Sequence, residues 1–138
     1  MKARIEYKNI KIEDLPEESL YDFIFAFEVI EHIEDQKEFI SHISKRLKLG
    51  GSVFISTINK NIASKILLLD IAENLLGIIP KGTHEYEKFI CPEVLEEYLH
   101  SESLQILDKK GVFYNPLTNS MCEVDSLISN YIVASVKI

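Results

Sequence analysis

Only two cysteines occur in this chain, Cys91 and Cys122, far apart and outside any C-x-x-C or histidine-rich setting. Neither a zinc knuckle nor a disulfide framework is suggested, and a reducing compartment is expected. A basic surplus is also missing: the net charge is -7, and the tight basic group is Lys45, Arg46 and Lys48. Phosphate backbones draw on clustered Lys and Arg, so this balance argues against nucleic acid as a partner. The basic trio is read as structural, near a helix end where cations suit the dipole. Met1–Glu6 has none of the apolar core of a secretion signal. The long apolar region 61–79 carries Lys65, Asp70, Glu73 and Asn74 and cannot comfortably span a bilayer. Glycine is scarce as well. No G-x-G-x-x-G run exists, and the adjacent pair Gly50-Gly51 follows a helical pattern rather than a strand. Repeats and low-complexity tracts are absent.

What remains is the composition of one soluble, globular domain, with 46% hydrophobic and 27% charged residues over 138 positions. Ile5–Tyr7 is a short strand candidate, and the acidic, proline-broken Glu13–Glu18 reads as a loop. Asp22–Phe27 is too continuously apolar for a half-exposed strand and suits one buried on both faces, as in parallel sheets between helices. Asp35 with Glu38 makes a capping-box-like helix start. Phe39, Ile40, Ile43 and Leu47 supply the apolar stripe, and Gly50-Gly51 is expected to stop that helix. Ser52–Thr57 follows as a second buried strand, which completes a strand-helix-strand crossover. The architecture is therefore α/β, and ligands in such sheets lie beyond the carboxyl ends of the strands. Those ends are Phe27-Glu28 and Thr57-Ile58-Asn59.

Glu28, Glu31 and His32 stand at one of these ends. If the chain turns helical after Phe27, their i, i+3, i+4 spacing projects them from one face. Two readings fit the spacing. Mixed oxygen and nitrogen donors suit Mg, Mn or Zn; alternatively, the acids favour a helix dipole and the histidine is solvated.

Further on, the polar face of 61–79 switches midway, as expected of a kinked helix or a pair of short ones. Its wide apolar side from Ile66 to Ile79 fits either a core helix or a lid that meets an apolar substrate or lipid. Pro80–His84 is a turn-rich loop, and Cys91-Pro92 opens a helix whose inner face is Val94, Leu95, Tyr98 and Leu99. Leu104–Tyr114 and Tyr131–Val136 are strand candidates suited to an antiparallel edge on a parallel sheet.

Phe27–His32, Leu49-Gly50-Gly51, Ser56–Asn59, Pro80–His84, Lys88-Phe89-Ile90, Tyr114-Asn115-Pro116 and Asn130-Tyr131 occur in this order. The set resembles the carboxyl part of the ubiquinone-biosynthesis O-methyltransferases, bacterial and mitochondrial. The resemblance implies a class I, Rossmann-like methyltransferase sheet, parallel with an antiparallel C-terminal strand and helices on both faces. It implies S-adenosylmethionine-dependent O-methylation of polyprenyl catechol intermediates, quinone precursors. It further implies Glu28, Glu31 and His32 as ligands of a divalent cation, Mg in the first instance, and Phe27 as a contact of the methyl donor. Region 60–84 resembles an apolar insertion or lid within a single domain spanning 1–138, with Ile66–Ile79 approaching a membrane surface. The expected location is cytoplasmic and peripheral at the inner membrane of a bacterium, or the matrix face in a mitochondrion. His84 is a candidate general base toward the catechol hydroxyl, or a loop histidine bonded to backbone.

The chain departs from the family at its start. It has no Gly-rich loop to cradle the methyl donor, so the Asp22–Phe27 strand is expected to present an open, apolar edge through which the protein self-associates. The chain alone is then expected to show weak methyl transfer or none. The alternative reading is a non-catalytic truncated remnant, or a membrane-peripheral interaction module without methyl-donor binding.

Overall fold

The computed structural model describes residues 4–61, 86–115 and 120–138. Strand β1 (Tyr21–Phe27) leads through a 3-10 turn (Ile30–His32) to helix α1 (Gln36–Arg46) and strand β2 (Leu47–Ile58). Helix α2 (Pro92–Ser101) follows, then strands β3 (Leu104–Asn115), β4 (Ser120–Val124) and β5 (Asn130–Lys137). The strands form one sheet in the order β1-β2-β5-β3-β4. β1 and β2 pair in parallel, with Phe27 opposite Ser56, whereas β5 is antiparallel to both β2 and β3. Consequently β1, β2 and β3 run one way and the C-terminal strand runs against them, as expected, but it lies between β2 and β3 rather than at the expected edge. β4 adds an antiparallel hairpin strand on β3.

The two α-helices among the described residues pack on one face of this sheet. Alternation sends Ala26, Val53, Ile55 and Val133 to that face, where they join Ile40 and Ile43 of α1 and Leu95 and Leu99 of α2 in a continuous buried core. Tyr131 is buried there too, and its hydroxyl donates to the Ile90 carbonyl at 2.9 Å. The opposite face receives Phe23, Phe25 and Phe27, which are 62%, 61% and 50% exposed. Helices on both faces were the expectation; among the described residues no α-helix covers this second face, so the buried strand expected over Asp22–Phe27 is buried on one side only.

Local signals account for most boundaries. The Asp35 side chain caps α1 by accepting from Glu38 N–H at 2.8 Å, and Pro92 occupies the first turn of α2. Two of the basic trio have structural contacts: Arg46 donates to the Leu15 carbonyl at 2.6 Å and Lys48 pairs with Asp22 at 2.9 Å. Two expectations need correction. α1 ends at Arg46, not at the glycines, because Leu47 is already extended and Lys137 Nζ satisfies the Ser44 and Leu47 carbonyls at 2.6 and 3.1 Å. The glycines lie inside β2, where the ladder with β1 is irregular; Gly50 takes φ 77°, and a Cβ on Gly51 would sit 3.1 Å from the Asp22 carbonyl. Ile5–Tyr7 is not a strand: no strand among the described residues pairs with it, and Ile5 and Tyr7 are exposed.

Candidate functional site

The carboxyl ends of β1 and β2 lie side by side, and two residues that follow β1, Glu28 and Glu31, make a carboxylate pair there. Glu28 follows β1 with φ 52°, a left-handed conformation uncommon for a residue with a side chain. Ser56 of β2 holds it there: Glu28 N–H donates to the Ser56 carbonyl and Oγ, both at 3.1 Å, and Ser56 Oγ donates to Glu28 Oε1 at 2.7 Å. Strain of this kind persists where surrounding contacts over-determine the backbone, and it concentrates at functional sites.

Glu31, three residues on, turns inward and is 2% exposed. Its Oε2 accepts from Thr57 Oγ1 at 2.9 Å, while Oε1 is buried without a hydrogen-bond partner among the described residues. Burial pushes the Glu31 carboxyl up to about 7, and the charge of Glu28 adds to that, against the opposing backbone and Thr57 hydrogen bonds. An acid that titrates near neutrality beside a second, exposed carboxylate has the electrostatics of a proton-handling site.

His32 departs from the expected geometry. The spacing argument required one helical face carrying all three groups, but the helical turn is a 3-10 segment, Ile30–His32, and Glu28 lies outside it. Glu31 therefore points into the protein while His32 is exposed and lines a different space. That space is an open groove of about 620 Å³ between the 11–13 segment and the start of α1, where His32 meets Lys11, Asp35, Glu38 and His42. Among the described residues no group of three or more His, Cys, Asp or Glu side chains is arranged to hold a metal ion. As they stand, Glu28, Glu31 and His32 do not fit a three-ligand cation site; the structure brings together the two carboxylates only.

Phe27 ends β1 half-exposed, with its ring edge-on to Phe25 at 5.7 Å and Phe25 stacked on Phe54 at 5.1 Å. His84 and Ile66–Ile79 lie outside the described residues, as does nearly all of region 60–84. Ser56, Thr57 and Gln36 were not singled out as site residues from sequence. Gln36 Nε2 ties the turn to the rest of the domain, donating to the Lys88 carbonyl at 2.6 Å and the Ile30 carbonyl at 3.2 Å. For Ser56 and Thr57 the signal was available, since both stand at the end of a strand next to a strand end already suspected.

Residues 3–101 match the family profile described as "Methyltransferase domain". A mitochondrial ubiquinone biosynthesis O-methyltransferase of Dictyostelium discoideum is 44% identical over 117 residues, covering 85% of this chain and 36% of the relative. The Homo sapiens protein named likewise is 39% identical over 136 residues, covering 97% of this chain and 37% of the relative. Across such curated relatives the chain spans between 36% and 58% of their length. Among solved structures, magnesium protoporphyrin IX methyltransferase from Synechocystis, with bound SAH, superposes with a TM-score of 0.60 at 15% identity. That likeness of fold covers 94% of this chain and 49% of that one. No helix among the described residues is long and apolar enough to cross a membrane.

Proposed function

Since the chain belongs to the methyltransferase-domain family, we propose that it forms the substrate-facing part of an S-adenosylmethionine-dependent O-methyltransferase acting on polyprenyl catechol precursors of ubiquinone. The names of the curated relatives support the substrate class. The observation that carries the chemistry is the buried Glu31 carboxyl, raised to about 7 beside Glu28 at the carboxyl ends of two parallel strands.

Methyl transfer is an in-line displacement. The phenolate oxygen bonds to the methyl carbon as the carbon–sulfur bond breaks, and the electron pair leaves with sulfur, giving S-adenosylhomocysteine. The phenol must first lose its proton, and a group with a pKa near the working pH is suited to take it. Glu31 meets that requirement, Thr57 orients its carboxylate, and Ser56 holds Glu28 in place. Phe27 flanks the same strand end as the apolar contact of the donor, and His84 is retained as a second candidate base.

The test is a graft in which this chain replaces the matched segment of the Dictyostelium relative. Transfer of a labelled methyl group to a polyprenyl catechol is expected, with kcat lowered on the order of a hundredfold by Glu31→Gln and by His84→Gln. A folded graft with no turnover overturns the proposal and favours the non-catalytic module. The divalent cation, magnesium, is a separate proposal, and no step is routed through it. It rests on the unpartnered Glu31 Oε1 and the adjoining Glu28 carboxylate, to which His32 would have to move. Heat on titrating Mg into the chain, lost in Glu31→Gln, is expected; equal heat in both overturns it. Membrane contact through Ile66–Ile79, and with it a peripheral location on a bacterial inner membrane or the mitochondrial matrix face, is tested by liposome flotation. Flotation unchanged by Leu75→Glu with Leu76→Glu would count against it.

A further inference from the structure

Asp35 already caps α1, so the residue after it, Gln36, is not needed to close that helix end. Its half-buried side chain turns back instead, and Nε2, with two hydrogens to give, donates to two carbonyls, those of Ile30 at 3.2 Å and Lys88 at 2.6 Å. The Ile30 carbonyl belongs to the peptide that leads into Glu31, and it also accepts from Ile33 N–H at 3.1 Å. The Lys88 carbonyl lies in a segment that is itself anchored. Phe89 and Ile90 are buried, Ile90 N–H donates to the Ile58 carbonyl at 3.3 Å, and the Tyr131 hydroxyl donates to the Ile90 carbonyl at 2.9 Å. These contacts close a ring about Glu31. At its tip the carboxylate accepts from Thr57. At its backbone the path runs from the Ile30 carbonyl through Gln36 to Lys88, along the chain to Ile90, and so to Ile58, the residue after Thr57. Both ends of one residue are thereby referred to the same strand end.

We propose that Gln36 is the positioning residue of this site, holding the Ile30–Glu31 peptide so that the Glu31 carboxyl keeps one orientation against the end of β2. This rests on the reading of Glu31 given under Proposed function and adds the residue that acts through it. The turn needs a hold from outside. It is a single 3-10 turn of three residues with no side-chain cap, and it follows Glu28, whose φ of 52° breaks any regular helical approach. A side chain that only filled space would serve as well without polar atoms. Here the donors converge on carbonyls from two separate segments, one next to the working residue and one on the anchored platform. Displacing a reacting group by about 1 Å costs on the order of a hundredfold in rate, so a bond that fixes the peptide beside such a group acts on the chemical step more than on binding.

Gln36→Met keeps the reach of the side chain and removes both donors. In the 138-residue chain, the His32 and Ile33 amides, which close the turn, are expected to exchange with solvent about tenfold faster in this variant, and the Ile55 amide in β2 to stay within about twofold. In the graft with the Dictyostelium relative, the same substitution is expected to lower kcat about tenfold while KM for the catechol stays within about twofold. Lys37→Met, at the exposed next position, is expected to leave both constants unchanged. Unchanged exchange at His32 and Ile33 overturns the proposal. Faster exchange everywhere, Ile55 included, makes Gln36 a structural residue alone and also overturns it, as does an unchanged kcat in a graft that turns over. The functional reading fails separately: a folded graft with its native residues and no turnover removes the methyltransferase reading, while selective exchange at the turn still shows Gln36 holding the Ile30–Glu31 peptide.

Discussion

The two faces of the sheet come from the same alternating strands, yet one is a closed core and the other a bare aromatic row. On the first, Ile55 and Val133 meet α1 and α2 and are fully buried; on the second, Phe23 and Phe25 remain more than half exposed. Hydrophobicity does not separate them, since the bare row is the more aromatic. What separates them is the presence of an element to pack against, because apolar surface stabilises a fold only when it leaves water. Among the described residues no helix lies on the exposed row.

Substitution on each face breaks or sharpens that contrast. Ile55→Ala should lower stability by about 2–5 kcal/mol in urea denaturation, through lost burial and the cavity left behind. Phe23→Ser should change it by less than about 0.5 kcal/mol, as at an ordinary surface position. Equal costs would mean that the row is already covered.

The two carboxylates that follow β1 differ in the same manner, Glu31 being buried and Glu28 exposed. Because the folded pKa of Glu31 lies above its ordinary 4.5, the fold favours the protonated acid. The stability from this group is present below pH 4.5 and is lost as pH rises through about 7, a change on the order of 3 kcal/mol. Glu31→Gln should flatten that part of the pH profile, read as the urea midpoint between pH 4.5 and 8. Thr57→Val, which removes the donor to a buried carboxylate, should cost about 2 kcal/mol at pH 8 and move the Glu31 titration upward by NMR. Ser56→Ala, beside the exposed Glu28, should cost less than about 1 kcal/mol.

The smallest effect has the opposite sign. Glu28→Gly relieves a left-handed side chain and should raise thermal stability by about 0.5 kcal/mol. It also removes a carboxylate from the site. A loss of stability instead would show that the Ser56 bonds outweigh the strain.

Much of this was legible before any coordinates. The apolar run over Asp22–Phe27, the Asp35 cap, Pro92 at a helix start and the strand ends at Phe27 and Ile58 follow from local chemistry between near neighbours. The relation of Glu28, Glu31 and His32 was not legible in the same way. Their spacing assumes a regular helix, and a left-handed residue at Glu28 followed by a 3-10 turn rotates each side chain to a different place. The length of α1 was misread for a related reason: its last carbonyls are satisfied by Lys137, ninety-odd positions away along the chain.

By itself, then, the order of residues determined the α/β crossover and which strand end carries the acids, since both depend on patterns of propensity and periodicity within a few turns; the family came from the resemblance of motifs spread along the chain. Tertiary structure decided which acid is buried and which stays in water, which face of β1 has a neighbour, and that His32 faces a groove rather than the carboxylate pair. Those outcomes depend on the meeting of β1 with β2 and on the backbone turn between β1 and α1, and no short-range pattern encodes either.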